Sequence, residues 1–281
     1  MMIALAGGLS RVIVILLAIF APFTGALAQE RVDPSYINIA VATGGQVLRL
    51  SGEEMALHAE AIGRILADGP EDLLHFWDPE GGSPRKIGFP VDSTLRSLQL
   101  AATAGRLYSV TLTDPNGRAA ENGAEGITLV RYKHGLIALV ERPTPGLWTL
   151  AIDAEKDVIV TARGRTDLYL VGLNFVRLGG RPGHQGLFPI KGNPHSSAQP
   201  QPVSIVISGN PRDVVLQARD AQGRLIVEAQ ARPVGGDDFL AEIPVSAQPF
   251  RLYVQGVTPT GDAFVRSQGA LITPRRPSGG G

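Results

Sequence analysis

Histidine is the side chain that proteins most often use for proton transfer and metal binding near neutral pH. The chain has five histidines, with neither a His-Glu-x-x-His pattern nor the spacing typical of zinc ligands: His58, His75, His134, His184 and His195. A Gly-x-Ser-x-Gly elbow is also absent, so the sequence nominates no serine nucleophile. We interpret the histidines as structural or surface residues, assign no catalytic residue, and expect the protein not to be an enzyme.

Three carboxylates stand two residues apart at Asp153, Glu155 and Asp157. On a strand they share one face, as calcium ligands do, but the segment lacks the glycine and the distal glutamate of an EF-hand loop. Because apolar runs flank the segment, we interpret it as a solvated hairpin tip, and we interpret Asp237-Asp238 beside Gly235-Gly236 in the same way. No metal and no cofactor are expected.

Two tryptophans are the aromatic side chains best suited to hold a sugar ring. Trp148 lies among alternating apolar residues, which predicts a place in a core. Trp77 precedes a run rich in Gly and Pro, so we expect it in a loop, where it either covers a helix or offers a binding surface.

Composition excludes several classes of function. Lys plus Arg and Asp plus Glu both number 26, so no net charge attracts nucleic acid, and no nucleic-acid partner is expected. There is no cysteine, which excludes disulfides, thiolate metal sites and cysteine nucleophiles. Stability must therefore come from packing.

The N-terminus has the pattern of a secretory signal peptide. Arg11 precedes an apolar run from Val12 to Phe20, and small residues follow at Ala26 and Ala28, which places cleavage between Ala28 and Gln29. The alternative is an uncleaved anchor, the only membrane contact that we expect. Localisation is therefore predicted to be periplasmic or extracellular.

The segment after the predicted cleavage point has mixed character. Residues 36–50 predict an apolar segment, a turn at Gly44-Gly45 and a short strand. Ser51 and Glu54 form a capping-box pattern, which predicts a helix that ends at Gly69-Pro70.

From Leu73 onward, short apolar runs alternate with turn clusters, which predicts antiparallel β structure. The predicted strands of the first half are 86–90, 97–101, 108–113, 128–131, 135–140, 148–152 and 158–162. Those of the second half are 169–176, 203–208, 214–219, 225–230, 239–243, 250–255 and 263–268. Seven strands in each half favour a mainly β protein with two tandem antiparallel β-sandwiches, galactose-binding-like or immunoglobulin-like.

The predicted division of the chain follows from this pattern. It is a signal peptide at 1–28, a short α/β segment at 29–71, a first β domain at 72–171, a second β domain at 172–273 and a disordered tail at 274–281. Long surface loops are expected at 179–186 and 192–202, which are rich in Gly and Pro. The two halves repeat one feature, a strand that enters a tight turn, at 114–118 and at 220–224.

Several stretches, taken in order, resemble hemicentin from the end of its von Willebrand factor A domain onward. They are Ala42-Thr-Gly-Gly-Gln-Val47, Phe89-Pro-Val-Asp-Ser-Thr-Leu95, Thr113-Asp-Pro-Asn-Gly117, Pro145-Gly-Leu-Trp-Thr149, Phe250-Arg-Leu-Tyr-Val-Gln-Gly256 and Leu271-Ile-Thr-Pro-Arg275. The resemblance implies an extracellular structural or adhesive module. The Asp-x-Ser-x-Ser metal motif of the A domain is absent, so metal-dependent adhesion is not implied, and only residues 37–67 resemble that domain's final strand and helix.

We therefore predict an exported, non-catalytic interaction, adhesion or scaffold protein that binds a protein partner at the cell surface or in the envelope through loops and sheet edges. A carbohydrate-binding module is one alternative and an accessory subunit of an envelope enzyme is another. An exposed Trp77 or Tyr132 beside a groove would favour a glycan, whereas a flat apolar patch would favour a protein.

Overall fold

The computed structural model describes residues 33–66, 71–181, 183 and 185–276. The predicted signal segment, its cleavage point at Ala28 and Gln29, the helix stop at Gly69-Pro70, His184 and the chain after residue 276 lie outside the described residues. Within the described ranges, no helix has both the length and the apolar character needed to cross a bilayer.

The fold is mainly β, as predicted. The seventeen strands of the described chain are β1 (Glu71–Asp78), β2 (Arg85–Val91), β3 (Leu95–Thr103), β4 (Arg106–Thr113), β5 (Ile127–Tyr132), β6 (Gly135–Glu141), β7 (Gly146–Glu155), β8 (Val158–Thr166), β9 (Leu170–Gly179), β10 (Gly186–Pro189), β11 (Ser197–Ile207), β12 (Arg212–Arg219), β13 (Leu225–Gln230), β14 (Arg232–Gly235), β15 (Asp238–Val245), β16 (Arg251–Val257) and β17 (Ala263–Ser267).

The strands form three antiparallel sheets. One sheet of nine strands runs through both halves of the chain in the order β13-β12-β16-β17-β1-β8-β3-β6-β5. A three-stranded sheet, β2-β7-β4, belongs to the first half, and a five-stranded sheet, β10-β9-β11-β15-β14, belongs to the second. Asp72 of β1 pairs with Ser267 of β17, so the two halves share one sheet.

Two hydrophobic cores lie between these sheets. The first contains Leu98, Leu100 and Trp148, and the second contains Val203, Ile205 and Leu216. Strands β16 and β17 contribute to both, because successive side chains of a strand point to opposite faces. Phe264 belongs to the second core, whereas its neighbour Val265 belongs to the first.

The N-terminal segment begins with a helix, α1 (Pro34–Thr43), where the sequence pattern predicts an apolar segment and the resemblance implies a strand. The prediction is wrong because the local capping signals are helical. The Asp33 side chain accepts a hydrogen bond from Ser35 N over 2.8 Å, proline occupies the first position, and Gly44 ends the helix with φ 75°. The final strand of a von Willebrand factor A domain is therefore absent from residues 34–43.

The predicted capping box is confirmed, since Ser51 and Glu54 bond reciprocally at the start of α2 (Gly52–Leu57). The helix is interrupted at His58 and continues as α3 (Ala59–Leu66). Leu48 and Ile62 pack on Ile137 and Leu139, so this segment covers the face of the nine-stranded sheet that points away from the three-stranded sheet.

The fourteen strands predicted from residue 86 onward are present, and the sequence pattern misses three others: β1, β10 and β14. The short strand predicted within residues 36–50 is wrong, because residues 45–50 have no regular secondary structure. β1 lacks alternation, because buried polar residues stand among its apolar residues. Trp77 accordingly lies in β1 and not in the predicted loop. The loop predicted at 192–202 is also partly wrong, because β11 begins at Ser197.

The two predicted tight turns have one geometry. Asp114 Oδ1 accepts hydrogen bonds from Asn116 N and Arg118 N, both at 2.9 Å, and Asp220 makes the same two bonds at 2.9 Å in the second half. The fourth residue of each turn is glycine with φ 80° or 76°. A left-handed residue at that position is the reason for the glycine.

Candidate functional site

The described histidines do not converge on a site. His75 is buried in β1, His134 lies on a loop with Nδ1 3.1 Å from Gly105 O, and His195 is exposed. Among the described residues, no group of three His, Cys, Asp or Glu side chains is placed to hold a metal ion.

A buried polar cluster surrounds His75. Its Nε2 lies 3.2 Å from Asp72 Oδ1, and Arg163 Nε donates to the same oxygen over 2.6 Å. Burial lowers the pKa of His75, and the charges of Arg251 and Arg163 lower it further against the opposing effect of Asp72. Burial alone would raise the pKa of Asp72, but His75 and Arg163 outweigh it and lower that pKa.

This cluster is closed to solvent. His75 and Asp72 are 2% and 6% exposed, and the hydroxyl of buried Tyr253 donates to His75 O over 3.2 Å. Arg251 Nε donates to Gly269 O over 2.7 Å, and its Nη2 donates to Val41 O of α1. The cluster therefore joins α1, β1 and the second β domain.

The carboxylates of the 153–157 segment lie where the chain passes from β7 to β8. The interpretation as a hairpin tip is wrong, because these two strands belong to different sheets and do not pair with each other. β7 ends at Glu155, and Lys156 and Asp157 form the turn with φ 58° and 47°. Arg49 Nη2 lies 2.9 Å from Asp157 Oδ2, so this carboxylate is held in an ion pair.

Neither of the two aromatic side chains that would favour a glycan is fully exposed. Tyr132 is 7% exposed, its hydroxyl donates to Ala102 O, and burial raises its pKa. Trp77 packs on the cluster that contains α1 and is only partly exposed. The other tryptophan, Trp148, is 2% exposed, as predicted for a core residue, and its Nε1 donates to Thr144 O over 2.9 Å.

Sheet edges are the second kind of predicted site, and most of them are blocked. An edge strand exposes unpaired N–H and C=O groups that can pair with another strand. Proline, which has no N–H group, or a hydrogen bond from a neighbouring residue prevents that pairing. Proline stands in the edge strands β2, β10 and β14 at Pro90, Pro189 and Pro233.

The two other edge strands in the first half of the chain, β4 and β5, accept backbone hydrogen bonds from neighbouring residues or donate them to neighbouring residues. In β4, Arg131 Nη1 donates to Val110 O and Ala120 N donates to Leu112 O, both over 2.8 Å. In β5, Leu129 N donates to Asn122 Oδ1 over 3.0 Å.

The edge strand β13 contains no proline, and its backbone has no described hydrogen bond from a neighbouring side chain, although a bulge interrupts its pairing with β12 between Ala218 and Arg219. It bonds to β12 on one side, and no described strand pairs with its other side. Its sequence, Leu-Ile-Val-Glu-Ala-Gln, contains neither proline nor lysine. Leu225 is 52% exposed, so an apolar side chain faces water at this edge.

A groove of about 560 Å³ lies beside β13. It is lined by Ile226 and Val227 of β13, by Pro244 and Val245 of β15, and by small residues from Ser196 onward. Ile226 and Val227 are only partly buried against the second core. The arrangement offers backbone hydrogen-bonding groups and an apolar groove side by side.

The sequence predicts β13 as a strand at 225–230 but does not predict its position at an edge. Strand order depends on long-range pairing between strands, and the local alternation of apolar and polar residues carries no information about it. The available signal is the absence of proline and lysine from an apolar strand.

Comparison with protein families identifies the first β domain. Residues 73–167 match the family model described as hemicentin galactose-binding domain-like. These residues form a hemicentin-like β domain. The match confirms the resemblance over β1 to β8 and does not extend to the segment compared with a von Willebrand factor A domain.

No curated protein matches the chain. Similar solved structures include the lipase BlEst2 of Bacillus licheniformis in its propeptide form, at 10% identity and TM-score 0.33 over 73% of this chain and 44% of that one. A second is the β-glucuronidase of Bifidobacterium dentium with coumarin-3-O-glucuronide, at 12% identity and TM-score 0.24 over 66% and 38%. The chain thus spans less than half of either protein, and similarity this low says nothing about activity.

Proposed function

We propose that the protein is an exported, non-catalytic interaction protein that binds an extended segment of a protein partner along β13. The observation that supports this is the open β13 edge beside an apolar groove. A strand added there would continue the nine-stranded sheet, and its alternate side chains would enter the groove. An extended polypeptide is the ligand that satisfies a row of unpaired backbone groups.

Export to the periplasm or the medium is part of the same proposal. It is supported by the apolar run from Val12 to Phe20 and the small residues before Gln29. The non-catalytic role is supported by the sequence, which has neither a Gly-x-Ser-x-Gly elbow nor a His-Glu-x-x-His pattern, and by the burial of the Asp72–His75 pair.

The test uses residues 29–281 as bait for the native envelope and culture medium, with soluble glycans as competitors. Leu225→Lys places a charge on the open edge, which disfavours pairing with another strand. Because Leu225 is already half exposed, this change leaves the core intact. We expect the captured partner to be lost with Leu225→Lys and to resist displacement by glycans.

Val234→Lys is the matched control, since Val234 is 47% exposed and lies on β14, an edge that already contains Pro233. This variant should retain the partner. Equal retention of the partner by Leu225→Lys and Val234→Lys would exclude β13 as the binding edge.

A glycan-binding role is the second candidate, because the matched family model is named for galactose-binding-like domains. Within the first β domain, Tyr108 on β4 is 48% exposed, with the Arg106 guanidinium 5.0 Å from its ring centre. Release of the captured partner by one class of sugar, together with loss of binding in Tyr108→Ala, would favour this candidate over a protein partner.

A further inference from the structure

A cleft of about 590 Å³ lies between the two β domains. Its floor includes Leu74 and Phe76 of β1, and its opposite wall is the turn at 220–224 between β12 and β13. Trp77 N donates to Ala221 O over 2.8 Å, which holds the turn against β1. Because the walls come from both domains, neither domain alone contains the cleft.

The walls carry an excess of positive charge from Arg85, Lys86, Arg219 and Arg224. Two of these side chains are neutralised by ion pairs of 2.6 Å, Arg85 with Asp78 and Arg224 with Asp220. Within the described chain, neither Lys86 nor Arg219 has a carboxylate within ion-pair distance. Two cations in the cleft therefore lack a direct counter-ion.

Arg219 is the more deeply placed of the two. Its guanidinium lies 5.0 Å from the centre of the Tyr253 ring, and its Nε and Nη2 both donate to Gln217 Oε1, at 2.9 and 2.5 Å. An amide oxygen does not neutralise the charge. The carboxylate of Glu228 is one step further away, since it accepts from Gln217 Nε2 over 3.0 Å.

We propose that this cleft binds a small organic anion, a carboxylate or sulfate on a body of saccharide size. A volume of about 590 Å³ falls in the range of small-ligand clefts. Charge-assisted hydrogen bonds from Arg219 and Lys86 would hold the anionic group, and they are stronger near a partly desolvated apolar floor than in open water. The apolar side chains of the floor would contact the body of the ligand.

The test is calorimetric titration of residues 29–281 with D-galacturonate, which differs from D-galactose only in its carboxylate. We expect galacturonate to bind, galactose to bind at least about tenfold more weakly, and inorganic sulfate to bind more weakly than galacturonate. Lys86→Gln should weaken galacturonate binding about tenfold, the loss of one charge-assisted contact. Lys86 is exposed, so this variant leaves the fold intact.

Arg96→Gln is the control, because Arg96 is an exposed cation whose ion pair with Asp167 does not line the cleft. It should bind galacturonate as the parent chain does. Absence of galacturonate binding, equal binding of galactose, or full binding by Lys86→Gln would overturn the proposal. Sulfate binding as tight as galacturonate binding would also overturn it, because the site would then select a free inorganic anion.

Discussion

Arg266 Nη1 donates a hydrogen bond to Asp92 Oδ2 over 2.8 Å, and neither side chain has any solvent-exposed surface. Asp92 follows β2 in the first domain, whereas Arg266 lies in β17 of the second. The same guanidinium donates to Leu168 O over 3.0 Å and to Thr166 Oγ1 over 2.8 Å. Every nitrogen of the Arg266 guanidinium donates a hydrogen bond, and this one side chain joins the two domains where they share a sheet.

Removal of this arginine should strongly destabilise the protein. Arg266→Met leaves the carboxylate of Asp92 buried without its partner, so we expect the free energy of unfolding to fall by about 3–5 kcal/mol. Denaturant titration followed by far-UV circular dichroism measures the loss. Arg96→Met, which breaks an exposed ion pair, should cost less than about 1 kcal/mol. Similar losses for the two variants would show that the Arg266–Asp92 pair does not hold the domains together.

The pKa of His75 predicts a loss of stability in mild acid. The unfolded chain takes up a proton on this residue as the pH falls through about 6.5, whereas the folded chain, in which the pKa is lowered, does not. Stability should therefore decrease as the pH falls below about 6.5. The groups that face His75 are Asp72, Arg163, Arg251 and Tyr253, and the contribution of Asp72 is lost only as the pH falls below its ordinary value of 3.8.

His75→Gln should remove this dependence. Thermal unfolding between about pH 7 and pH 5 should then show a flatter profile than in the parent chain, although the variant is less stable at neutral pH. His195→Gln, a change at an exposed residue, should keep the parental slope. An unchanged slope in His75→Gln would assign the acid sensitivity to other groups.

Gly269 lies against the same cluster and should not tolerate a side chain. A Cβ there would stand 2.5 Å from Asp72 Oδ2 and 2.8 Å from His75 Nε2, and φ is 72°. Gly269→Ala should lower the free energy of unfolding by about 3 kcal/mol, the sum of overpacking and left-handed strain.

Gly236→Ala provides the matched comparison for this prediction. Gly236 has φ 54°, but the methyl group of an alanine there would meet nothing within 4 Å, so only backbone strain applies, roughly 1–2 kcal/mol. Denaturant titration of both variants separates the two contributions. If Gly269→Ala were no more costly than Gly236→Ala, the packing around Asp72 and His75 would be looser than described.

The local sequence pattern predicts most of the strands, but it fails to predict β1 and the helix α1. The pattern of apolar runs and turns predicts β2 to β9, except for their bounds, even though β6 and β8 are buried over nearly their whole length. In β1 the buried polar residues Asp72 and His75 interrupt the apolar residues, so its sequence shows neither alternation nor a continuous apolar run. In α1, Ile37 and Val41 have helical spacing, but Ile39 between them favours a strand.

The sequence predicts the type of binding site, a sheet edge, but not which strand forms it. Sheet edges are expected from the sequence to make the contacts, yet the identity of the open edge depends on the order of nine strands drawn from both domains. The cleft with Lys86 and Arg219 joins residues that are far apart in sequence, and the pattern predicts the turn at 220–224 without its contact to Trp77.

Amide hydrogen exchange of residues 29–281, free and bound to the captured partner, tests the central proposal most directly. Strand addition bonds the outward amides of β13, so exchange at Leu225–Gln230 should slow on binding while exchange at Arg232–Gly235 of β14 stays unchanged. Unchanged exchange in β13, with protection elsewhere, would contradict binding along this edge.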